Sequence, residues 1–283
     1  MTDTAQPARK RITLNGLALN YLDWGNEAAP PMVCVHGYTS SADAFSGMAR
    51  HFRARFRILA LDVRGHGDSA WSPDGAYEYR DQAADLAAFA DALGLGPFVL
   101  AGTSMGGIIS MTYAMENAAR LRALVLNDIG PETEVGSTRI TQMVGARPDS
   151  FPSLEAAIAY RAKYSPIVAA RTPEDQRELA LGVLKPHPDG NWGWKMDPAY
   201  IRRRVERGPP VRPDFWPTLR SLACPTLVVW GTTSDVLSEA QANRMIAALP
   251  KGELLAIPGV PHAPSLVEPA SLQGLERFLA PLA

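Results

Sequence analysis

A glycine-rich stretch at residues 102–106, Gly-Thr-Ser-Met-Gly, holds the side chain best suited to chemistry, Ser104. The stretch fits G-x-S-x-G and joins a strand-like run to a helical pattern, as a nucleophile elbow requires. There the serine occupies the tip of a sharp, strained turn, and small residues flank it because neighbouring backbone comes too close for side chains. The N–H of Met105, at the start of the helix, is free to stabilise an oxyanion. We predict Ser104 as a nucleophile and Met105 as an oxyanion donor.

A serine hydroxyl is a poor nucleophile until a base removes its proton, so a histidine must lie nearby. Of the five histidines, His262 is the best candidate for this base, because it follows the last strand-like run and precedes the terminal helical pattern. It also completes the chain order nucleophile, acid, histidine. The other four have structural explanations: we expect His36 to hold the oxyanion loop, His66 to bind backbone in a tight turn, His51 to lie on a helix surface and His187 to lie in an inserted segment.

The acid that would orient His262 is left open between two aspartates, Asp128 and Asp235, each at the end of a strand-like run. Asp235 follows the strand that most often supplies the acid. The usual position, three residues after the strand-ending glycine, is however occupied by Ser234. Asp128 ends the preceding strand and could reach the same imidazole. One of the two is predicted to be the acid, and the other to support it or line the substrate pocket.

The remaining site candidates surround this constellation. The backbone N–H of Tyr38 is the expected second oxyanion donor, because Tyr38 follows a strand end in "CVHGYTS". Substrate-pocket candidates are His36 and Gly37 from the same loop, with Trp192, Trp194 and Tyr160, and also Trp216, from the inserted segment. Three basic residues, Arg139, Arg161 and Lys163, could pair with a substrate carboxylate, although solvated surface is the expected location for each, as it is for residues 202–204.

These residues must be positioned by an α/β architecture. "ITLNGLALNYLDWG" predicts a hairpin around Asn15-Gly16. Six short apolar runs follow and predict strands buried on both faces: "PMVCVHG", "FRILALDVRG", "PFVLAGTS", "LRALVLND", "PTLVVWG" and "ELLAIPG". Amphipathic helical patterns alternate with them, which predicts a doubly wound, mostly parallel sheet with helices on both faces. Such a sheet places its sites at the carboxyl ends of its strands.

One stretch, residues 132–222, breaks this alternation. It contains helical fragments and turn-rich segments but no convincing strand. We predict a helical cap inserted after the sixth strand, with residues 1–131 and 223–283 forming the core.

Composition limits the function classes. The chain has 283 residues with 28 Lys and Arg against 29 Asp and Glu, so no basic patch for nucleic acid or an anionic membrane is expected. Cys34 and Cys224 lie in or beside apolar runs and are predicted to be buried thiols, not a disulfide or metal pair. No leader-like start and no apolar run near the ~20 residues of a membrane helix is found, so the cytoplasm is the expected location.

Several motifs together resemble the α/β-hydrolase superfamily with a helical cap, over almost the whole chain from about residue 12: "HGYTSSADAF", "ALDVRGHGDS", "AGTSMGG", "LNDIGP", "VVWGTTSD" and "PGVPHAP". Among its branches the chain looks most like bacterial carboxylesterases and enol-lactone or amide-ester hydrolases. The resemblance implies an eight-stranded, mostly parallel sheet, a Ser-His-Asp triad, and no metal or organic cofactor. Members with Asp at the elbow perform different chemistry, which Ser104 excludes here.

The function expected from the residues and the resemblance is two-step acyl transfer to water from a small ester, lactone or thioester. Two alternatives share the fold: a carbon–carbon bond hydrolase and a cofactor-free perhydrolase. A third, less favoured, is a non-catalytic ligand-binding protein. Neither nucleic acid nor membrane is an expected partner, and a homodimer is left open.

Overall fold

The computed structural model describes residues 5–133 and 136–283. Its strands are β1 (Ala8–Leu14), β2 (Leu17–Asp23), β3 (Pro31–Val35), β4 (Arg57–Leu61), β5 (Phe98–Thr103), β6 (Leu121–Asn127), β7 (Ser150–Phe151), β8 (Leu184–Pro186), β9 (Trp192–Trp194), β10 (Thr226–Gly231) and β11 (Gly252–Ile257). Its helices are α1 (Ser46–Phe52), α2 (Tyr79–Ala92), α3 (Met105–Asn117), α4 (Gly136–Gly145), α5 (Leu154–Tyr164), α6 (Pro166–Ala169), α7 (Pro173–Val183), α8 (Pro198–Arg207), α9 (Trp216–Ser221), α10 (Glu239–Ala248) and α11 (Pro269–Leu279).

Eight of the described strands form one sheet, in the order β1-β2-β4-β3-β5-β6-β10-β11. The predicted hairpin joins β1 to β2, with Leu14 paired to Leu17 across the turn. Asn15 and Gly16 both have positive φ, 49° and 79°, the conformation that a two-residue hairpin turn needs and that Asn and Gly tolerate. From β4 to β11 every neighbouring pair is parallel. The prediction of a mostly parallel α/β sheet is confirmed.

Two apolar clusters cover the two faces of this sheet. One holds buried side chains of α2, α3 and α10, such as Leu86, Ile109 and Met245. The other holds side chains of α1 and α11, such as Phe52 and Phe278. Because the parallel strands are covered on both faces, nearly all their side chains are apolar, and each strand is a continuous apolar run in the sequence. All of the predicted strand runs are strands in the structure.

Between β6 and β10 the chain forms an inserted segment that includes α4 to α9. The expectation that it contains no strand is wrong, because β7, β9 and β8 form a small antiparallel sheet. β8 and β9 are joined by a tight turn in which Gly190, with φ of 85°, follows Asp189, a common turn pair. Strands of two or three residues are too short to show an alternating pattern, so the sequence does not reveal them.

The inserted segment has a small apolar cluster of its own but is also tied to the core. That cluster contains Phe151, Leu154 and Val183, while Tyr200 of α8 belongs to the large cluster on the sheet. The prediction that residues 202–204 form a solvated face is wrong for Arg204. This residue is buried, with its guanidinium 4.1 Å from the ring centre of Tyr38.

Cys34 and Cys224 are both buried and neither forms a disulfide, as predicted. Within residues 5–133 and 136–283, no helix has the length and apolar character needed to cross a membrane.

Candidate active site

Ser104 stands between β5 and α3 in a strained conformation, with φ of 52° and ψ of −115°. Such a φ is costly for a residue with a Cβ and is typical of functional turns. The glycines beside it are required by close backbone contacts. A Cβ on Gly106 would lie 1.9 Å from the Val35 carbonyl oxygen, and one on Gly102 would lie 2.4 Å from the Gly106 carbonyl oxygen. The elbow therefore has the geometry that its sequence predicts.

His262 lies next to Ser104, although 158 positions separate them in the chain. The His262 Nε2 atom is 2.8 Å from Ser104 Oγ. Its Nδ1 atom is 2.7 Å from Asp128 Oδ2. The loop that carries His262 is fixed to the sheet, because the Asn127 amide donates a hydrogen bond of 2.8 Å to the Pro264 carbonyl. The structure thus joins three of the predicted site residues by hydrogen bonds.

Asp128 is fully buried at the end of β6, and both carboxylate oxygens have donors. Oδ1 accepts the Gly231 N–H at 2.9 Å. Oδ2 accepts the Ser234 hydroxyl at 2.7 Å as well as the bond from His262. Ser234, which occupies the position where the acid was expected, therefore bonds to the carboxylate that contacts the imidazole. These bonds satisfy a charge that would be costly to bury alone.

Asp235 is placed elsewhere, with its side chain 37% exposed. It forms a two-pronged ion pair with Arg139 of α4, and Arg139 Nη2 lies 2.9 Å from Asp235 Oδ1. The hydrogen bonds from Arg139 hold the pKa of the Asp235 carboxyl below its ordinary value. Of the two candidate acids, the structure brings Asp128 to His262 and leaves Asp235 at the cavity wall.

The two predicted oxyanion donors, the N–H groups of Tyr38 and Met105, follow β3 and begin α3 respectively. Within the described ranges neither group donates to any acceptor of the protein. The Tyr38 loop is anchored by histidine rings. His66 Nε2 lies 2.7 Å from the Tyr38 carbonyl oxygen, and His36 Nδ1 lies 2.8 Å from the Gly37 carbonyl oxygen.

The rings of His36 and His66 are both fully buried. Burial lowers the pKa of His36 to about 4 and that of His66 to about 3. Both rings are therefore neutral near pH 7. The Val63 N–H donates to His36 Nε2 at 3.2 Å, so the ring proton is on Nδ1. These contacts give His36 and His66 roles in supporting backbone.

A cavity of about 580 Å³ opens over Ser104 and His262. The loop residues His36 and Gly37 line it, as do Trp194 and Tyr160 from the inserted segment. Trp192 does not line it, contrary to expectation, and packs instead against the small cluster of the inserted segment. Trp192 and Trp194 are two positions apart in β9 and both pack against this cluster, but of the two only Trp194 reaches the cavity.

Trp216 also lies away from the cavity lining. Its Nε1–H donates to Glu132 Oε1 at 3.0 Å, and the Arg244 guanidinium stacks on its ring at 4.8 Å. Trp216 therefore anchors the base of the inserted segment to α10 instead of contacting a ligand.

Four arginines line the cavity: Arg139, Arg147, Arg161 and Arg171. The expectation of solvated surface is wrong for Arg161, whose Nη1 atom is buried. Lys163, which is exposed and lies over the Tyr164 ring, does match that expectation. Arg147 and Arg171 were missed by sequence reasoning. No local pattern marks them, because Arg147 lies in the loop after α4 and Arg171 in the loop between α6 and α7, and only the fold brings these loops to the cavity.

Comparison with known proteins agrees with this architecture. The family model described as alpha/beta hydrolase fold matches residues 30–269, and the chain belongs to this family. It is 32% identical over 268 residues to the 3-hydroxybutyrate-oligomer hydrolase of Cupriavidus necator, covering 91% of each chain. It is 27% identical to the 2-(acetamidomethylene)succinate hydrolase of Mesorhizobium japonicum, over 95% of this chain and 94% of that one.

A solved structure of similar shape is an alpha/beta hydrolase from Novosphingobium aromaticivorans. Its TM-score is 0.86 at 32% identity, covering 98% of this chain and 99% of the other. The protein is accordingly a hydrolase of the α/β fold.

Proposed function

We propose that this protein is a serine hydrolase that cleaves a carboxylic ester of a small to medium-sized substrate through an acyl-enzyme. The observation that carries the proposal is the unbroken series of hydrogen bonds from Ser104 through His262 to Asp128, at the floor of the cavity. A nucleophile, a base and an orienting acid in this order are the elements of covalent acyl transfer.

In the first half-reaction Ser104 Oγ attacks the ester carbonyl carbon while His262 Nε2 takes the hydroxyl proton. The N–H groups of Tyr38 and Met105 receive the oxyanion. The tetrahedral intermediate then collapses, the bond to the alcohol oxygen breaks, and His262 gives its proton to the departing alcohol. Water, deprotonated by His262, hydrolyses the acyl-enzyme in the same way and releases the acid.

Asp128 has the orienting role in this mechanism, because its Oδ2 accepts the Nδ1–H of His262 and so keeps Nε2 free to act as the base. Asp235 is a supporting residue of the cavity wall, since its carboxylate forms an ion pair with Arg139.

Ester cleavage is favoured over the other reactions of this fold by one relative in particular. The Cupriavidus protein is named for action on oligomers of 3-hydroxybutyrate, and the units of a hydroxy-acid oligomer are joined by ester bonds. A similar scissile bond in this chain fits the two-step mechanism above without additional residues.

Residues 132–222 act as a cap in this proposal. Side chains from α4 and α5, Ile140 and Tyr160 among them, form one side of the cavity, and the sheet end with Ser104 forms the other. The cap would therefore set which acyl groups reach the nucleophile.

The test is hydrolysis of p-nitrophenyl esters across a series of acyl lengths, with the wild type and Ser104→Ala compared. We expect the wild type to cleave the shorter esters and Ser104→Ala to lose about a thousandfold or more in kcat. A fluorophosphonate should label the wild type and leave the variant unlabelled. Retention of near-wild-type turnover by Ser104→Ala would contradict the proposal, and an unlabelled wild type would favour a binding protein.

A further inference from the structure

We propose that Arg161, assisted by Arg147, forms a carboxylate-binding site in the cavity, so that the esters this protein cleaves carry a free carboxylate. This inference rests on the proposed ester hydrolysis and specifies its substrate class.

The cavity has an excess of positive charge. Among its described lining residues are four arginines and one acidic residue, Asp235. That carboxylate is paired with Arg139. Arg147, Arg161 and Arg171 therefore face the same space as Ser104 without a lining carboxylate to neutralise them. A confined site of one sign attracts and orients a ligand of the opposite sign.

Among these arginines, Arg161 most clearly lacks a neutralising partner. Its Nη1 atom is buried and has no hydrogen-bond partner within residues 5–133 and 136–283. No ion pair to it is found in these ranges either. Burial lowers the pKa of its guanidinium to about 10, and no carboxylate offsets that effect. A buried guanidinium without an acceptor destabilises the fold unless a ligand supplies one.

Arg147 is arranged so that its donors remain available. Its guanidinium lies 4.1 Å from the ring centre of Trp194, an interaction that uses the face of the group and leaves its N–H edge free. Its Nη2 atom donates to the Met196 sulfur, a weak acceptor, at 3.9 Å. Burial lowers the pKa of Arg147 to about 10, against a smaller opposing effect of Tyr38.

Arg171 is not part of the proposed site, although it also lines the cavity. Its Nη2 atom donates to the Ser265 carbonyl oxygen at 3.4 Å, and Asp175 and Glu268 are close enough to raise its pKa against the larger lowering by burial. Its Nε atom is buried without a hydrogen-bond partner in the described ranges, as Arg161 Nη1 is, but these two carboxylates offset the charge of Arg171. Arg161 has no such neighbours, and a guanidinium matches the planar, two-oxygen geometry of a carboxylate.

The first experiment compares two isosteric p-nitrophenyl esters. One is the monoester of glutaric acid, and the other has an acyl chain of the same length that ends in an isopropyl group instead of the carboxylate. We expect the wild type to prefer the charged ester in kcat/KM. Arg161→Met should reduce the ratio of charged to neutral kcat/KM by about 10- to 100-fold, the range expected for a charged hydrogen bond.

A second pair places the carboxylate on the alcohol side: 3-acetoxybutyrate and its methyl ester, with acetate release measured. The proposal holds if Arg161→Met selectively lowers the rate with the charged member of at least one pair. It is overturned if the variant changes the charged and neutral rates equally in both pairs.

Lys163→Met is the matched control, because Lys163 is on the same helix, carries the same charge and is exposed away from the cavity lining. Its charged-to-neutral ratio should equal that of the wild type. Thermal melts distinguish a binding role of Arg161 from a structural one. Without ligand, Arg161→Met should melt at or above the wild-type temperature, since it removes an unpaired buried charge.

Binding to an inactive background tests the site independently of turnover. Calorimetric titration of monomethyl glutarate into Ser104→Ala should show binding that is at least tenfold weaker in Ser104→Ala/Arg161→Met. Equal binding to both would overturn the carboxylate site. If no ester of either pair is cleaved by the wild type but this difference in binding is found, the proposed ester hydrolysis fails and the carboxylate site stands.

Discussion

Asp128 meets His262 because of a backbone conformation that few residues accept. Its φ is 56°, which follows directly on a strand whose hydrogen bonding extends to the Asp128 N–H, bonded to the Val229 carbonyl at 2.8 Å. Asp and Asn are the side-chain-bearing residues most tolerant of this left-handed region. The turn directs the carboxylate to His262 at 2.7 Å. The left-handed backbone conformation and the need for a carboxylate beside His262 are therefore both met by an aspartate at position 128.

Replacing each candidate acid separately tests this assignment. Asp128→Asn should lower kcat by about a thousandfold or more, because an amide cannot hold the imidazole in the required tautomer. Asn accepts the same φ, so the variant should fold. Asp235→Asn should stay within about fivefold of the wild type, since an exposed ion pair contributes at most about 1 kcal/mol. Steady-state kinetics with p-nitrophenyl acetate measures both, and the reverse order of losses would contradict the assignment.

At the residue scale the sequence revealed what is encoded locally. Ser104 could be predicted because its turn, its flanking glycines and the following helix lie within a few positions. The choice between Asp128 and Asp235 could not be made, because it depends on Arg139 and Ser234 reaching each carboxylate in space. Arg161 was named as a candidate but not as buried, since its surroundings come from several elements of the fold.

The end of β10 was one predicted source of the acid, and in the structure it contacts the other candidate, Asp128. The Ser234 hydroxyl donates to Asp128 Oδ2 at 2.7 Å and accepts the Val236 N–H at 3.1 Å, so it connects the carboxylate to the turn after the strand. An aspartate at the same position could still accept from the turn, because Asp is a good capping residue. Position 234 is also adjacent to the carboxylate that contacts His262.

We therefore expect the acid to be transferable between strand ends. In the inactive Asp128→Asn background, adding Ser234→Asp should recover about tenfold in kcat, because a carboxylate again lies beside the imidazole. Ser234→Ala in that background is the matched control and should recover nothing. Kinetics with one p-nitrophenyl ester decides the question, and equal rates for the two double variants would refute the expectation.

The loop after β3 depends on the neutral state of His36. Its Nε2 accepts from the Val63 N–H, so protonation of that nitrogen removes the acceptor and places a charge in a fully buried position. The pKa of His36 is about 4 in the folded chain against an ordinary 6.5. Between these values the unfolded chain binds a proton that the folded chain does not. The contribution to stability is therefore complete above pH 6.5 and is lost as the pH falls toward 4.

His36→Gln should make stability less dependent on pH, since glutamine retains one donor and one acceptor but does not titrate. Over pH 4.5 to 6 we expect the slope of unfolding free energy against pH to decrease by about 1.4 kcal/mol per pH unit, the value for one proton. Urea unfolding at several pH values measures it. An unchanged slope would show that His36 takes up its proton equally in the folded and unfolded chain, and so that its pKa is not lowered by folding.

Elements differed in how well the sequence predicted them. The strands of the large sheet are buried on both faces, and each produces an apolar run that stands out between helices. The strands β7 to β9 have two or three residues each, which is too short for a recognisable alternation of apolar and polar residues. Arg204 was assigned to a solvated face for a similar reason, because its partner Tyr38 lies in a distant loop.

On the scale of the whole molecule, the apolar interior is divided unequally. Two large clusters flank the sheet and include side chains from nearly every core element. The third cluster, of which Phe151, Leu154 and Val183 are members, is far smaller and lies within the inserted segment. Regions with few buried apolar contacts open at lower free energy than the main core. This part of the inserted segment should therefore open without unfolding of the sheet.

A pair of matched substitutions tests this division. Leu154→Ala and Leu100→Ala each remove a buried leucine side chain, from α5 and β5 respectively, and such truncations cost about 2–5 kcal/mol. Hydrogen exchange should accelerate in α5 and α7 for Leu154→Ala while the amides of β5 and β6 stay as in the wild type. Leu100→Ala should instead accelerate exchange throughout and lower the main melting temperature.

Activity should follow the same division, because Tyr160 and Arg161 of α5 line the cavity while Ser104 is held by the sheet. Leu154→Ala should therefore raise KM severalfold, and the strained elbow should keep its reactivity toward a fluorophosphonate. If Leu154→Ala and Leu100→Ala lowered the main melting temperature equally, the inserted segment and the sheet would unfold as a single cooperative unit. The packing would then give no basis for the inserted segment to open separately over Ser104.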